Sequence, residues 1–186
     1  DIESMILFRV IQGFVGGEYG LVFTERSIYR MSFEGPPTAF RFDKISATLG
    51  CRAEGSIAAF DNVAFFLGDD GAYMIQGGSQ ITPIGAEKVD RWIEQNLDAN
   101  YLYRISSAID PINKLYLLSI PTLGNSTGTP DTILIYHWAT NQWSHAEVNH
   151  EWLFSSATQA SYTIDGMDAI SATVDGLPYP MDSRFW

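Results

Sequence analysis

Basic side chains are scarce in this sequence. Eleven lysines and arginines stand against 22 aspartates and glutamates, for a formal net charge of −11 over 186 residues. A surface that grips nucleic acid through its phosphates needs a basic stripe, and none is present. Cysteine occurs once, as Cys51, so no internal disulfide can form and nothing points to an oxidising compartment. Within Leu49-Gly-Cys-Arg-Ala53 it reads as a small buried residue rather than a nucleophile. No stretch approaches about eighteen consecutive apolar residues, and no charged segment precedes an apolar core at the start, so neither a membrane-spanning helix nor a secretion signal is supported.

Chemical motifs are equally sparse. His137, His145 and His150 lack the compact spacing of a structural zinc site and have no cysteine pair beside them, although His137 and His145 are expected on paired strands. Asp69-Asp70 and the pairs Asp165/Asp168 and Asp175/Asp182 sit beside glycines as turn formers do, without the terminal glutamate of a calcium loop. Glu18, Glu25 and Glu34 are available as carboxylates, but Trp138, Trp143 and Trp152 read as strand core rather than as a sugar-lining loop cluster. Gly16-Gly17 does not continue into a phosphate-cradling loop, and no Gly-x-Ser-x-Gly elbow occurs. The sequence predicts no catalytic residue, no cofactor and no metal site.

What is present is a repeat. Ser27-Ile-Tyr-Arg-Met-Ser-Phe33, Gly71-Ala-Tyr-Met-Ile-Gln76 and Thr132-Ile-Leu-Ile-Tyr-His-Trp138 are apolar strands carrying a tyrosine, each after another apolar strand and before a short alternating segment. Tyr29, Tyr73 and Tyr136 are 44 and 63 residues apart. The longer interval holds two additions, a helix within Gly85 to Asn100 and a loop from Thr122 to Asp131. Without them the period falls at roughly 40 to 45 residues, that of four-stranded β-propeller blades. The fold class expected is mainly β: a propeller of about three blades plus the start of a fourth, part of a larger propeller, with one inserted α-helix. A β-sandwich with coincidental tyrosines is the other reading. Blade one spans 1–48, blade two 49–85, the helix 86–100, blade three 101–150, and a further blade start with an exit segment 151–186. The chain opens on Asp1 and stops at Phe185-Trp186, and it is expected to be part of a larger polypeptide or a protomer that needs neighbours.

In blade one, Met5 to Ile11, Tyr19 to Thr24, Ser27 to Phe33 and Phe40 to Ile45 are the expected strands, with glycine-rich Gln12 to Glu18 and Gly35-Pro-Pro37 as loops. In blade two they are Ser56 to Phe60, Val63 to Gly68, Ala72 to Gln76 and Gln80 to Pro83, joined by residue pairs that tolerate the positive φ of tight turns. Val63-Ala-Phe-Phe-Leu67 is apolar on both faces, as an interior strand between two neighbours must be. Glu87 to Leu97 changes period. Val89, Trp92, Ile93 and Leu97 form one helical stripe that packs on its own fold or on a partner. Blade three has Tyr103 to Ile109, Lys114 to Ile120, Thr132 to Trp138 and Trp143 to Val148; Trp152 to Ala157 begins a fourth. The polar loop from Thr122 to Pro130 is expected to be mobile or partner-facing. Trp92, Ile93 and Leu97 on the helix, with Asn125 and Ser126 in that loop, are the predicted partner contacts.

The run Gly16-Gly-Glu-Tyr-Gly-Leu-Val-Phe-Thr-Glu-Arg-Ser-Ile-Tyr-Arg-Met-Ser-Phe33, with Phe40-Arg-Phe42, Leu49-Gly-Cys51, Val63-Ala-Phe-Phe-Leu-Gly-Asp-Asp-Gly-Ala-Tyr73 and Ile81-Thr-Pro-Ile-Gly85, resembles tailed-phage tail hub or nozzle proteins with β-propeller domains. The likeness covers Gly16 to Val148 and brings no catalytic residues. It implies a virion tail component made in the host bacterial cytoplasm, usually a homo-oligomeric ring of six subunits around the channel. Its partners would be other tail or portal-adaptor proteins, and DNA would pass without sequence-specific binding. An acidic wall suits such passage because it repels phosphate. The chain is short for a complete tail hub. A carbohydrate-binding or receptor-binding propeller and an intracellular protein-interaction scaffold are the two other functions the sequence leaves open.

Overall fold

The computed structural model describes residues 11–16, 19–154 and 156. The chain divides into two units, Asp1–Ser155 and Ser156–Trp186, and every element below lies in the first. The expected strand Met5 to Ile11 falls almost wholly outside the described residues, as do the aspartate-rich turns of the last thirty positions.

Among the described residues, twelve strands form three four-stranded antiparallel sheets, each a meander in chain order. Sheet one is β1 (Ile11–Val15), β2 (Gly20–Thr24), β3 (Ile28–Gly35) and β4 (Ala39–Ser46). Sheet two is β5 (Ala58–Phe60), β6 (Val63–Leu67), β7 (Ala72–Gln76) and β8 (Gln80–Pro83). A helix, α1 (Asp90–Asn96), and a 3₁₀ segment (Ala99–Arg104) lead to sheet three: β9 (Ser106–Asp110), β10 (Leu115–Ile120), β11 (Thr132–His137) and β12 (Gln142–Glu147). The hairpins follow turn chemistry. Asp61, in the two-residue turn between β5 and β6, has φ 54°, and Gly77 and Gly78, in the three-residue loop between β7 and β8, have φ 60° and 69°, left-handed values that tight hairpin turns use.

Sheet two lies between the others. Ala64, Phe66 and Ile75 join Leu21, Phe23 and Ile28 of sheet one around Cys51. Phe65, Leu67 and Ala72 join Tyr116, Leu118, Ile120, Leu134 and Tyr136 of sheet three. Because side chains alternate along a strand, an apolar run on β6 fills both cores at once. The three tyrosines occupy the third strand of their sheets and also face the same way along the stack. Tyr136 packs toward sheet two and Tyr73 toward sheet one, against Phe66. Tyr29 pairs across β2 with Val22 and across β4 with Lys44, on the face of sheet one opposite Phe23 and Ile28.

That arrangement leaves two apolar faces without a neighbouring sheet among the described residues. On sheet one, Phe14, Met31 and Phe42 share Tyr29's face, and at the far end of the hairpin Phe33 and Phe40 are 73% and 43% exposed. On sheet three, Leu115, Leu117, Ile133 and Ile135 alternate with the core residues and stay half-exposed.

Several expected boundaries move, each for a packing reason. Gln12 to Val15 is strand rather than loop. Gly13 is there because a Cβ would meet Ile57 Cδ1 at 2.5 Å, next to a register irregularity, which is close approach and not a turn. Ser56 belongs to a 3₁₀ turn (Glu54–Ser56), where its hydroxyl donates to Ala53 O (2.6 Å) and accepts from Leu67 N (2.9 Å). The helix begins only at Asp90. Glu87 takes φ 59°, and Gly85 O accepts from the Lys88, Val89 and Asp90 N–H groups, so residues 86–89 are a turn. Tyr103 lies in the 3₁₀ segment opened by Asp98, whose side chain accepts from Asn100 N. Trp152 to Phe154 form no strand, and Trp152 is 59% exposed rather than core, whereas Trp138 and Trp143 pack on the core.

Candidate functional site: the cleft between the helix and the last strand

The stripe of α1 turns inward, so Val89, Ile93 and Leu97 are buried among Leu134, Ile120 and Ile105. The helix thereby packs on the core shared with sheet three, and Trp92, half-buried at its flank, faces His145 of β12. On β12, Trp143 and His145 pair with Tyr136 and Leu134, and Glu147 pairs with Thr132. All three therefore point to the helix side.

Between these walls runs a cleft. One part, of about 560 Å³, is lined by Lys88, Val89, Trp92, Leu134, Trp143 and His145 with the polar residues Asn141, Gln142 and Ser144. The next, of about 450 Å³, shares Trp92 and is lined by Asn96, Thr122, Asp131, Thr132, Glu147, Val148 and Asn149. The walls are fixed. Trp143 Nε1 donates to Ile84 O (2.8 Å) and its ring lies 4.9 Å from that of Tyr136. Lys88 Nζ donates to Asn141 Oδ1 (2.7 Å), which also accepts from Tyr136 OH (3.0 Å). Trp92 and His145 face each other at 28°, with centroids 6.3 Å apart.

The predicted contact residues separate. Trp92 lines the cleft, Ile93 and Leu97 lie under the helix, and Asn125 and Ser126 sit in the loop before β11. That loop is laced rather than slack. Asn125 Nδ2 donates to Thr129 O (2.8 Å), Thr127 Oγ1 donates to Asn125 Oδ1 (2.6 Å), and Arg104 reaches Thr127 O and Glu151. Asp131 clasps the loop's start by accepting from Thr122 N and Thr122 Oγ1.

The histidines lie apart. His137 and His145 are on paired strands but opposite faces, since His137 pairs with Gln142 and His145 with Leu134; His137 Nδ1 accepts from Thr140 N. No metal-holding group of three such side chains occurs among the described residues. His150 forms a pair the sequence did not announce: Ser119 Oγ lies 2.6 Å from its Nε2, and Val148 O lies 2.6 Å from its Nδ1. This is the spacing of a nucleophile and its base. Ser119, however, is completely buried in β10, and the pair links the chain after β12 to the sheet. The two residues are 31 positions apart, and no motif links them. No protein-family model matches the chain, and neither does any curated protein. No helix among the described residues is long and apolar enough to cross a membrane.

Proposed function

We propose that the three sheets are consecutive blades of a β-propeller which further sheets close, and that the protein is a non-enzymatic structural part of a phage tail, in the hub or nozzle ring around the DNA channel. The observation that carries this reading is the contrast between the sheets. The middle one is apolar on both faces and covered on both, while each end sheet keeps an apolar face toward the place where the next would stack. Blades cannot bury their faces alone. Tyr29, Tyr73 and Tyr136 repeat in strand and in direction, as a rotation from blade to blade requires. After β12 the chain returns to the first strand of sheet three, where Ser106 Oγ accepts from Leu153 N (3.0 Å), the place from which a following blade would start. A net charge of −11 suits the wall of a channel through which DNA slides.

Electron cryomicroscopy of tails assembled from the protein and the products of its neighbouring genes tests the reading. A propeller in a ring coaxial with the channel is expected. Assembled tails without this chain, or a closed two-layer sandwich in its place, would overturn it.

A further inference from the structure

We infer that the cleft between α1 and β12 takes an arginine side chain from an extended basic segment of a partner protein. The inference rests on the cleft alone and stands whether or not the sheets belong to a propeller. Its two halves differ in chemistry and meet at Trp92. On one side lie Val89, Leu134 and Trp143, with polar residues among them and the Lys88 ammonium held on Asn141, and on the other the carboxylates of Asp131 and Glu147, with no lysine or arginine among that half's lining residues. The carboxylate of Asp131 is already engaged by Thr122. Glu147 makes no ion pair with any described residue and is exposed on the same face of β12 as His145.

A guanidinium is the group that uses both halves. It is planar, weakly hydrated and stacks on indole faces, while its fork of donors matches a carboxylate. Laid against Trp92 beside His145, it can reach Glu147 one side-chain row along the strand. A lysine ammonium offers a point charge without the flat surface, and a neutral sugar can donate hydroxyls to Glu147 but brings no charge to balance it. The overall charge of −11 favours approach of a basic segment. The aliphatic floor of Val89 and Leu134 suits an apolar residue beside the arginine.

The test uses the full ¹⁵N-labelled chain titrated with a blocked hexapeptide carrying two arginines and two phenylalanines. Saturable shifts of the Trp92 indole N–H, identified by its loss in Trp92→Leu, and of the Glu147 amide are expected. Binding should weaken about tenfold in Glu147→Gln and likewise in Trp92→Leu, with the remaining amide pattern unchanged. Replacing arginine by citrulline keeps the shape, removes the charge and should lose binding by a similar factor. Absence of saturable shifts, equal response to the citrulline peptide, or unaltered affinity in Glu147→Gln overturns the inference. A Trp92 response to chitotetraose without one to the arginine peptide also overturns it and makes the cleft a saccharide site.

Discussion

Phe65 and Phe66 are adjacent in β6 and belong to different cores. Phe65 stacks on Tyr116 of sheet three with centroids 4.8 Å apart, and Phe66 lies 5.2 Å from Phe23 of sheet one. Both rings are fully buried, and burial of such a side chain contributes about 1.5 to 3 kcal/mol. Phe65→Leu and Phe66→Leu should each cost about 1 to 2 kcal/mol in urea unfolding. Since the rings share no partner across the sheet, the double variant should lose the sum to within about 0.5 kcal/mol. Strong coupling would mean that the two cores respond as one.

Gly55 meets the chain just before β9. A Cβ there would overlap the Ile105 carbonyl oxygen, a backbone atom that cannot swing aside, while Ser107 Oγ donates to Gly55 O (2.8 Å). Gly55→Ala should therefore cost at least about 3 kcal/mol or abolish folding. Gly124→Ala, with only Thr122 Oγ1 near at 3.8 Å, is the matched control and should unfold like the parent.

Cys51 has no exposed surface. Burial pushes its thiol up to about 11, partly offset by its contacts with Ser56 and Ala53. A thiol-specific disulfide reagent at mildly alkaline pH should leave the folded protein unlabelled for hours and react at once in denaturant. Rapid labelling of the native chain would contradict the packing of sheets one and two around this residue.

Asp90 sits where Gly71 and Gly85 leave room for its carboxylate, with Oδ1 accepting from Ala72 N (3.0 Å). Burial raises its pKa, against the Ala72 hydrogen bond, and Asp70 raises it further. A carboxyl whose folded pKa lies above its unfolded one contributes stability at low pH that is lost as pH rises through the folded value. Relative to Asp90→Asn, which keeps an acceptor for Ala72, the parent should thus lose stability as pH rises through the carboxylate range. Asp90→Ala should be the weakest of the three throughout, as thermal melts across pH will test.

Ile135 lies half-exposed on the face of sheet three turned away from sheet two. Ile135→Lys should leave the melting of the isolated chain within about 0.5 kcal/mol of the parent. On the proposed propeller reading, the same change should block incorporation into assembled tails in a complementation assay, because a charge would be buried against the next sheet. Normal incorporation would show that this face meets no neighbour.

Much of the architecture was legible before the structure because it is written in periods. The limits of β7 and β8 coincide with those expected from turn residues at both ends, and β6 advertised two neighbours by being apolar throughout. The misread segments are those where tertiary packing overrules local composition. Gly13 looks like a loop residue until Ile57 is seen against it, and the helix loses a turn because Glu87 is held in the left-handed region. The cleft was half legible. Trp92 stood out as a candidate, yet its opposition to His145 and Glu147 depends on how α1 lies under sheet three. Ser119 and His150 come together only because the chain doubles back after β12, and nothing local marks that return.

The double-sided character of β6 carries a further consequence for how the strand finds its place. In an ordinary half-buried strand, a slip of one residue drives polar groups inward and is rejected at once. Here the same slip exchanges one set of apolar side chains for another, so hydrophobicity alone cannot tell right from wrong. The alignment must come from the ends, where Asp61 at φ 54° and Gly71 at φ 152° fix where the strand starts and stops. These two turn residues, the exposed Asp61 and the buried Gly71 beside Asp90, decide which phenylalanine enters which core.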